Sequence, residues 1–247
     1  MLTIAYGADQ DQAGDLFLPE VHEGPLVCLF HGGFWRMPYG RDQLDPMARD
    51  LSQAGLAVWN LGYRRVGPGG HPWPATLRDV EKALAFLPEL HQAHPRVNAR
   101  RLVLVGHSAG GHLAFWGALK ARDIPGGLRP AAVVGLAPIL DLVAAAAAGL
   151  GAGAVEQFLG GSPSAVPDRY QEASPAARLP LGIPQYVLHG EEDTAVPPRL
   201  SEDYVASARQ AGDDAAYVPL PGTGHMDLID PRSPGFARAR QYILSAT

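Results

Sequence analysis

Midway along the chain stands Arg101-Leu102-Val103-Leu104-Val105-Gly106-His107-Ser108-Ala109-Gly110-Gly111, an apolar run that ends in a serine flanked by glycines. A helical pattern of small and apolar residues follows the serine. A strand, a tight Gly-x-Ser-x-Gly turn and a helix are typical of a site that exposes a serine hydroxyl for nucleophilic attack. The alternative is a plain helix N-terminus with a small capping residue. We take Ser108 as the candidate nucleophile.

Short β-rich runs alternate with helical patterns on both sides of this segment. The runs span residues 2–6, 15–18, 26–30, 57–61, 102–105, 132–136, 185–188 and 216–220, and helices are expected over 43–54, 76–91, 109–121, 198–211 and 234–245. Thr76 is the expected N-cap of the second helix. The alternation predicts an α/β fold with a mostly parallel eight-stranded sheet, helices on both faces, and an antiparallel ribbon formed by the first two strands at one edge.

A nucleophilic serine needs a base and an acid, and both are expected beyond it along the chain. Asp193 lies in a polar loop after a predicted strand and is the preferred acid, with Glu191 and Glu192 as alternatives. His225 lies in a glycine-rich loop after the last strand and is the preferred base. His189 is the alternative base, but its position at a strand end favours a hydrogen-bonded supporting role. Asp141 and Asp227 are further candidate carboxylates, for which a helix cap or a surface role is the simpler interpretation.

The strand over 26–30 is followed at once by His31-Gly32-Gly33-Phe34-Trp35. Acyl transfer builds negative charge on a carbonyl oxygen, and backbone N–H groups already aimed at that oxygen stabilise it. We expect the amides of Gly33, Phe34 and Ala109 to form this oxyanion hole, with Gly32 shaping the turn and His31 in a structural role. The alternative is that the two glycines form only a tight turn.

Composition narrows the remaining function classes. The 247 residues carry a formal net charge of −5, 47% hydrophobic residues and one cysteine. We expect one domain over 1–247, a small-molecule ester or amide as partner, no nucleic acid, no membrane, no metal and no cofactor. A monomer and a homodimer are both open. No secretory leader is visible, which favours a cytoplasmic protein.

Residues 138–184 form the main irregular insertion, and they are either a partial lid or an alanine-rich helix with a surface loop. The aromatic residues Trp35, Tyr39 and Trp73 are candidate walls of the substrate pocket, although buried aromatic side chains more often belong to the core.

Together these segments resemble the α/β-hydrolase superfamily over nearly the whole chain. Residues 31–35 and 106–113 are similar to the kynurenine formamidase and small carboxylesterase group. So are Tyr63-Arg64, Pro72-Trp73-Pro74-Ala75 and Asp79, which also resemble the hormone-sensitive-lipase-like esterases. Those esterases usually carry Asp before the serine and a third glycine in the oxyanion motif. Here the residues are His107 and Phe34, which favours the formamidase-like side, and the short N-terminus implies a small cap or none.

The resemblance and the motifs together predict a serine carboxylesterase that acts on short acyl or aryl esters through a Ser-His-Asp triad and an acyl-enzyme. Kynurenine formamidase activity, the hydrolysis of N-formylkynurenine, is the second hypothesis. A binding module that has the hydrolase fold but no activity is the third.

Overall fold

The computed structural model describes residues 1–20, 23–68, 73–124 and 128–247. Within these residues eight strands form one sheet: β1 (Leu2–Ala5), β2 (Ala13–Phe17), β3 (Gly24–Phe30), β4 (Ala57–Leu61), β5 (Val97–His107), β6 (Ala132–Leu136), β7 (Gln185–Gly190) and β8 (Ala215–Leu220). Their order across the sheet is β1-β2-β4-β3-β5-β6-β7-β8. The β1–β2 and β2–β4 pairs are antiparallel, and the others are parallel. The predicted sheet and its antiparallel edge ribbon are confirmed.

Helices cover both faces of this sheet. They are α1 (Asp45–Gln53), α2 (Ala75–Ala85), α3 (Leu87–Ala93), α4 (Ala109–Lys120), α5 (Leu142–Ala147), α6 (Ala154–Leu159), α7 (Pro167–Ala173), α8 (Pro198–Gln210) and α9 (Pro234–Ala246). Successive side chains of a strand point to opposite faces. Cys28 of β3 therefore joins the core under α2, α3, α4 and α8. Its neighbour Leu29 joins the core under α1 and α9.

The helix expected over 76–91 is two helices, and this prediction was wrong in two respects. The chain breaks at Phe86 between α2 and α3, because Pro88 near the start of α3 has no N–H with which to continue the first helix. Thr76 is not the N-cap. The helix begins one residue earlier at Ala75, and the Thr76 hydroxyl donates to the carbonyl oxygen of Arg64 at 2.5 Å.

The parallel part of the sheet brings distant loops together. The strands β3, β5, β7 and β8 all end at the same edge, since they run parallel to one another. The loops that follow them contain residues 31–35, Ser108, Asp193 and His225. In open α/β sheets this carboxyl edge is where ligands bind. The expectation of one domain over 1–247 stays a prediction.

Candidate active site

Ser108 occupies the turn between β5 and α4 in a strained conformation. Its φ and ψ are 56° and −122°, a region that a residue with a side chain rarely adopts. A Cβ added at Gly110 would lie 2.0 Å from the carbonyl oxygen of Phe30, so only glycine allows α4 to approach β3 this closely. The Ser108 amide donates to the carbonyl oxygen of Leu136 at 2.8 Å, which ties the turn to the neighbouring strand. The glycines thus hold the serine at the carboxyl edge of the sheet.

His225 and Asp193 are joined by a short hydrogen bond. His225 Nδ1 lies 2.6 Å from Asp193 Oδ2. The other carboxylate oxygen, Oδ1, accepts from the backbone amides of Ala195 and Val196 at 2.8 and 2.9 Å. Glu191 and Glu192 are exposed, whereas Asp193 is buried. The structure therefore brings Asp193, and neither glutamate, to the histidine.

The environment of Asp193 favours its charged form. Burial raises the pKa of the Asp193 carboxyl, but the hydrogen bonds from His189 and His225 and from the amide of Val196 outweigh burial and hold the pKa well below its usual range. Asp193 is thus a carboxylate that can hold the Nδ1–H tautomer of His225. In that tautomer Nε2 of His225 is free to accept a proton.

His189 supports the loop that carries Asp193. Its side chain is fully buried, and Nε2 lies 2.9 Å from the carbonyl oxygen of Val196 and 3.2 Å from Asp193 Oδ2. The Ser201 hydroxyl lies 2.7 Å from its Nδ1. Both ring nitrogens are occupied, as expected for a support rather than a base.

His107 is the residue before the serine. The sequence marks it only as a departure from the esterase pattern and indicates no role for it. In the structure its Nε2 donates to the carbonyl oxygen of His225 at 3.0 Å, and the two rings are 4.5 Å apart. Burial, reinforced by the nearby His225, lowers the pKa of His107 to about 3, so the ring is neutral. His107 therefore positions the backbone of His225. Its place inside the Gly-x-Ser-x-Gly motif is the signal in the sequence that could have indicated this role.

The segment after β3 passes beside the nucleophile with unusual backbone angles. Gly33, Phe34 and Trp35 have φ values of 100°, 53° and 56°, three consecutive left-handed residues. A Cβ added at Gly32 would lie 3.1 Å from Ser108 Cβ, which shows how closely the segment approaches the serine. In the part of the chain that the structure describes, the amides of Gly33 and Phe34 donate to no carbonyl or side-chain acceptor. Backbone N–H groups that have no acceptor within the protein and lie beside the nucleophile are available to stabilise a developing oxyanion.

Buried contacts hold this segment in place. His31 is fully buried and stacks on Tyr63 with 4.2 Å between ring centres. The Tyr63 hydroxyl donates to the His31 carbonyl oxygen at 2.7 Å. The adjoining Arg64 pairs with the fully buried carboxylate of Asp79 at 2.6 Å. Tyr63, Arg64 and Asp79 of the motifs that carried the resemblance are thus scaffold. Pro72 of the same motifs lies outside the described residues.

A cavity of about 470 Å³ opens at the serine. Its described walls come from the segment after β3, the loop before α1, and the loops after β5, β7 and β8: Gly33, Phe34, Pro38, Tyr39, Gly40, Asp42, Gln43, His107, Ser108, Ala195, His225 and Met226. Ser108 and His225 therefore line one cavity, and Tyr39 is among its walls. Its contact with substrate stays a prediction.

Trp35 and Trp73 are not among these walls, so that part of the predicted pocket was wrong. Trp35 is fully buried and stacks on Phe158 at 4.6 Å, because the left-handed backbone at residues 34 and 35 turns its side chain into the core. Its indole N–H donates to His112 Nδ1 at 3.2 Å. Trp73 is half-buried and lies 5.9 Å below the guanidinium of Arg169.

The insertion 138–184 packs behind the segment after β3. Phe158 and Leu159 of α6 belong to the core, and Arg36 donates to the carbonyl oxygen of Gly151 at 2.6 Å. None of its residues is among the described walls of the cavity at Ser108. Asp141 caps α5 by accepting from the amides of residues 143 and 144. Asp227 accepts from the Gly224 amide at 2.7 Å, so both alternative carboxylates have structural partners.

Within residues 1–20, 23–68, 73–124 and 128–247 no group of three or more His, Cys, Asp or Glu side chains is arranged to hold a metal ion. Over the same ranges no helix has both the length and the apolar character that crossing a membrane requires.

Comparison with known proteins identifies the family. The BD-FAE family model matches residues 15–207. The chain belongs to the BD-FAE family. The probable carboxylic ester hydrolase LipM of Mycobacterium tuberculosis is 28% identical over 228 residues, which cover 87% of this chain and 51% of LipM. A kynurenine formamidase of Danio rerio is 24% identical, with 93% of this chain and 76% of that protein covered.

Among solved structures, a bacterial heroin esterase superposes on this chain with a TM-score of 0.78 at 25% identity, and the match covers 99% of this chain and 81% of that one. The chain spans about half the length of the mycobacterial relatives LipM and LipQ, at 51% and 50%. Fold and relatives together place this BD-FAE member in the α/β-hydrolase superfamily.

Proposed function

We propose that this BD-FAE protein is a serine hydrolase that cleaves carboxylic esters through an acyl-enzyme at Ser108. One observation carries the proposal: the 2.6 Å hydrogen bond of His225 to Asp193 lies at a cavity that the strained Ser108 also lines. A serine, an imidazole and a buried carboxylate in this relation form the constellation that activates a hydroxyl for acyl transfer.

In the first half-reaction His225 Nε2 takes the Ser108 proton as Oγ attacks the ester carbonyl carbon. The oxygen becomes an oxyanion that the amides of Gly33, Phe34 and Ala109 stabilise, the last at the N-terminus of α4. The C–O bond to the alcohol then breaks, and His225 returns the proton to the leaving oxygen. Asp193 stabilises the imidazolium between these transfers.

In the second half-reaction His225 removes a proton from water, whose oxygen attacks the acyl carbon of the Ser108 ester. The bond to Oγ breaks, the serine recovers its proton from His225, and the carboxylic acid leaves. No group beyond the chain and water is needed for the atoms and charges to balance. The apolar side chains of Phe34, Tyr39 and Met226 in the cavity favour short acyl or aryl esters.

Labelling with a fluorophosphonate probe tests the nucleophile. We expect the wild-type protein to become labelled and Ser108→Ala to remain unlabelled, because the probe reacts with an activated serine. Ser245→Ala is a matched control, since Ser245 is exposed on α9 and should leave labelling unchanged. If the wild type and Ser108→Ala are labelled equally, Ser108 is not the nucleophile. If neither protein is labelled, the result supports the hypothesis of a binding module without activity.

A second candidate is the hydrolysis of N-formylkynurenine. It is favoured by the similarity to kynurenine formamidases, of which the Danio rerio protein is covered over 76% of its length. The same chemistry would apply, with an amide nitrogen as the leaving group. Comparing kcat/KM for p-nitrophenyl acetate and for N-formylkynurenine decides between the two activities. A higher value for the formamide would make formamidase activity the leading hypothesis.

A further inference from the structure

A second cavity adjoins the one at Ser108. It has a volume of about 430 Å³, and its described walls are Gln43, Pro46, Met226, Asp227, Ile229, Asp230, Pro231 and Arg232. Gln43 and Met226 are also walls of the cavity at Ser108. The two cavities therefore lie side by side with these two side chains between them, and a ligand that reached from one into the other would pass Met226.

The mechanism determines which part of an ester points that way. The carbonyl oxygen must lie against the amides of Gly33 and Phe34, whereas the leaving oxygen must lie within reach of His225, which protonates it. The wall residues 226–232 follow His225 directly along the chain. Met226, which is a wall of both cavities, directly follows His225, so the second cavity begins beside the residue that protonates the leaving oxygen.

The walls indicate the chemistry of the leaving group. Pro46, Met226, Ile229 and Pro231 are apolar, and Met226 is 54% exposed, so that a bound apolar group would bury it. The charged residues already have partners. Asp230 pairs with Arg232 at 2.9 Å, and Asp227 accepts from the Gly224 amide at 2.7 Å. An uncharged apolar group matches this surface better than a charged or strongly polar one.

We propose that the second cavity is a subsite for the alcohol portion of the ester and that it takes an apolar alkyl or aryl alcohol. This assignment rests on the proposed function, because only the direction of proton transfer from His225 distinguishes the alcohol from the acyl group.

Two isomeric esters test the assignment. Hexyl acetate has its six-carbon chain on the alcohol, and methyl heptanoate has its long chain on the acid. Pro46→Trp places an indole at the mouth of the second cavity, on an exposed residue at the start of α1. We expect the ratio of kcat/KM for hexyl acetate to that for methyl heptanoate to fall at least about tenfold, since apolar pockets discriminate to this degree.

Gln53→Trp is the matched control, because Gln53 is exposed near the other end of α1 and is not a wall of either cavity. It should leave the ratio unchanged. Pro231→Trp places an indole at another wall residue of the second cavity and replaces Pro46→Trp if that variant does not fold. An unchanged ratio in a folded wall variant, or a selective loss on methyl heptanoate, overturns the subsite. If the wild type cleaves neither these esters nor ethyl acetate, the proposed function itself fails, and the subsite with it.

Discussion

Three buried histidines make the stability of the fold depend on pH. His31, His107 and His112 have exposed fractions of 0%, 2% and 0%. Burial lowers the pKa of His31 and His107 to about 3 and that of His112 to about 4, from an ordinary value of 6.5. The folded protein therefore keeps them neutral at a pH where the unfolded chain protonates them. Their contribution to stability is complete above pH 6.5 and is lost as the pH falls toward 4 and 3.

The size of the effect follows from these values. At pH 5 a histidine in the unfolded chain is almost fully protonated. The three buried histidines of the folded protein are still almost entirely neutral at that pH. Each then destabilises the fold by about 2 kcal/mol relative to pH 7, and the three together by about 6 kcal/mol. A typical domain is stable by about 5–15 kcal/mol, so this loss is a large fraction of the total. Carboxylates contribute little in this window, because their ordinary pKa values lie near 4.

Urea denaturation at pH 7 and pH 5 measures the difference. His112→Phe should reduce it by about 2 kcal/mol, because one of the three proton uptakes is removed. Its neighbour Leu113→Ala is the control, since it opens a cavity in the same helix and costs about 2–5 kcal/mol at both pH values without changing their difference. A wild-type loss below about 2 kcal/mol would refute the reasoning, since it would mean that at least two of the histidines protonate in the folded protein.

Three other substitutions test the scaffold. Asp79→Ala should lower the free energy of unfolding by about 2–3 kcal/mol in urea titrations, because the Gln12 amide and the Arg64 N–H lose their buried acceptor, and a change below about 1 kcal/mol would contradict this. Gly110→Ala should cost at least about 2 kcal/mol, since its Cβ would lie 2.0 Å from a carbonyl oxygen; an unaltered melting temperature would argue against the close approach. Asp141→Ala should cost about 1 kcal/mol by removing the cap of α5, and Asp141→Asn should retain most of that stability in the same titration.

Much of the site was predictable because its signals are local. The glycines around Ser108 and after β3 reflect steric limits of their own turns, and the periods of apolar residues reflect burial of one strand or one helix face. These patterns sufficed for the eight strands and for the turns that follow β3 and β5, whereas the catalytic roles of the residues in those turns stay a prediction. The break at Phe86 was missed, since the apolar period of residues 77–87 continues into a segment where Pro88 interrupts the hydrogen bonds.

The other features depend on contacts between residues far apart in the chain, and only the tertiary structure decided them. Asp193 was one of three neighbouring acids until the packing of two loops placed it 2.6 Å from His225. Trp35 follows a predicted oxyanion segment, yet the left-handed backbone turns it into the core. His107 supports His225 across 118 positions of sequence. Local sterics determine which turns a sequence can form, but which side chains meet at the sheet edge depends on how those turns pack.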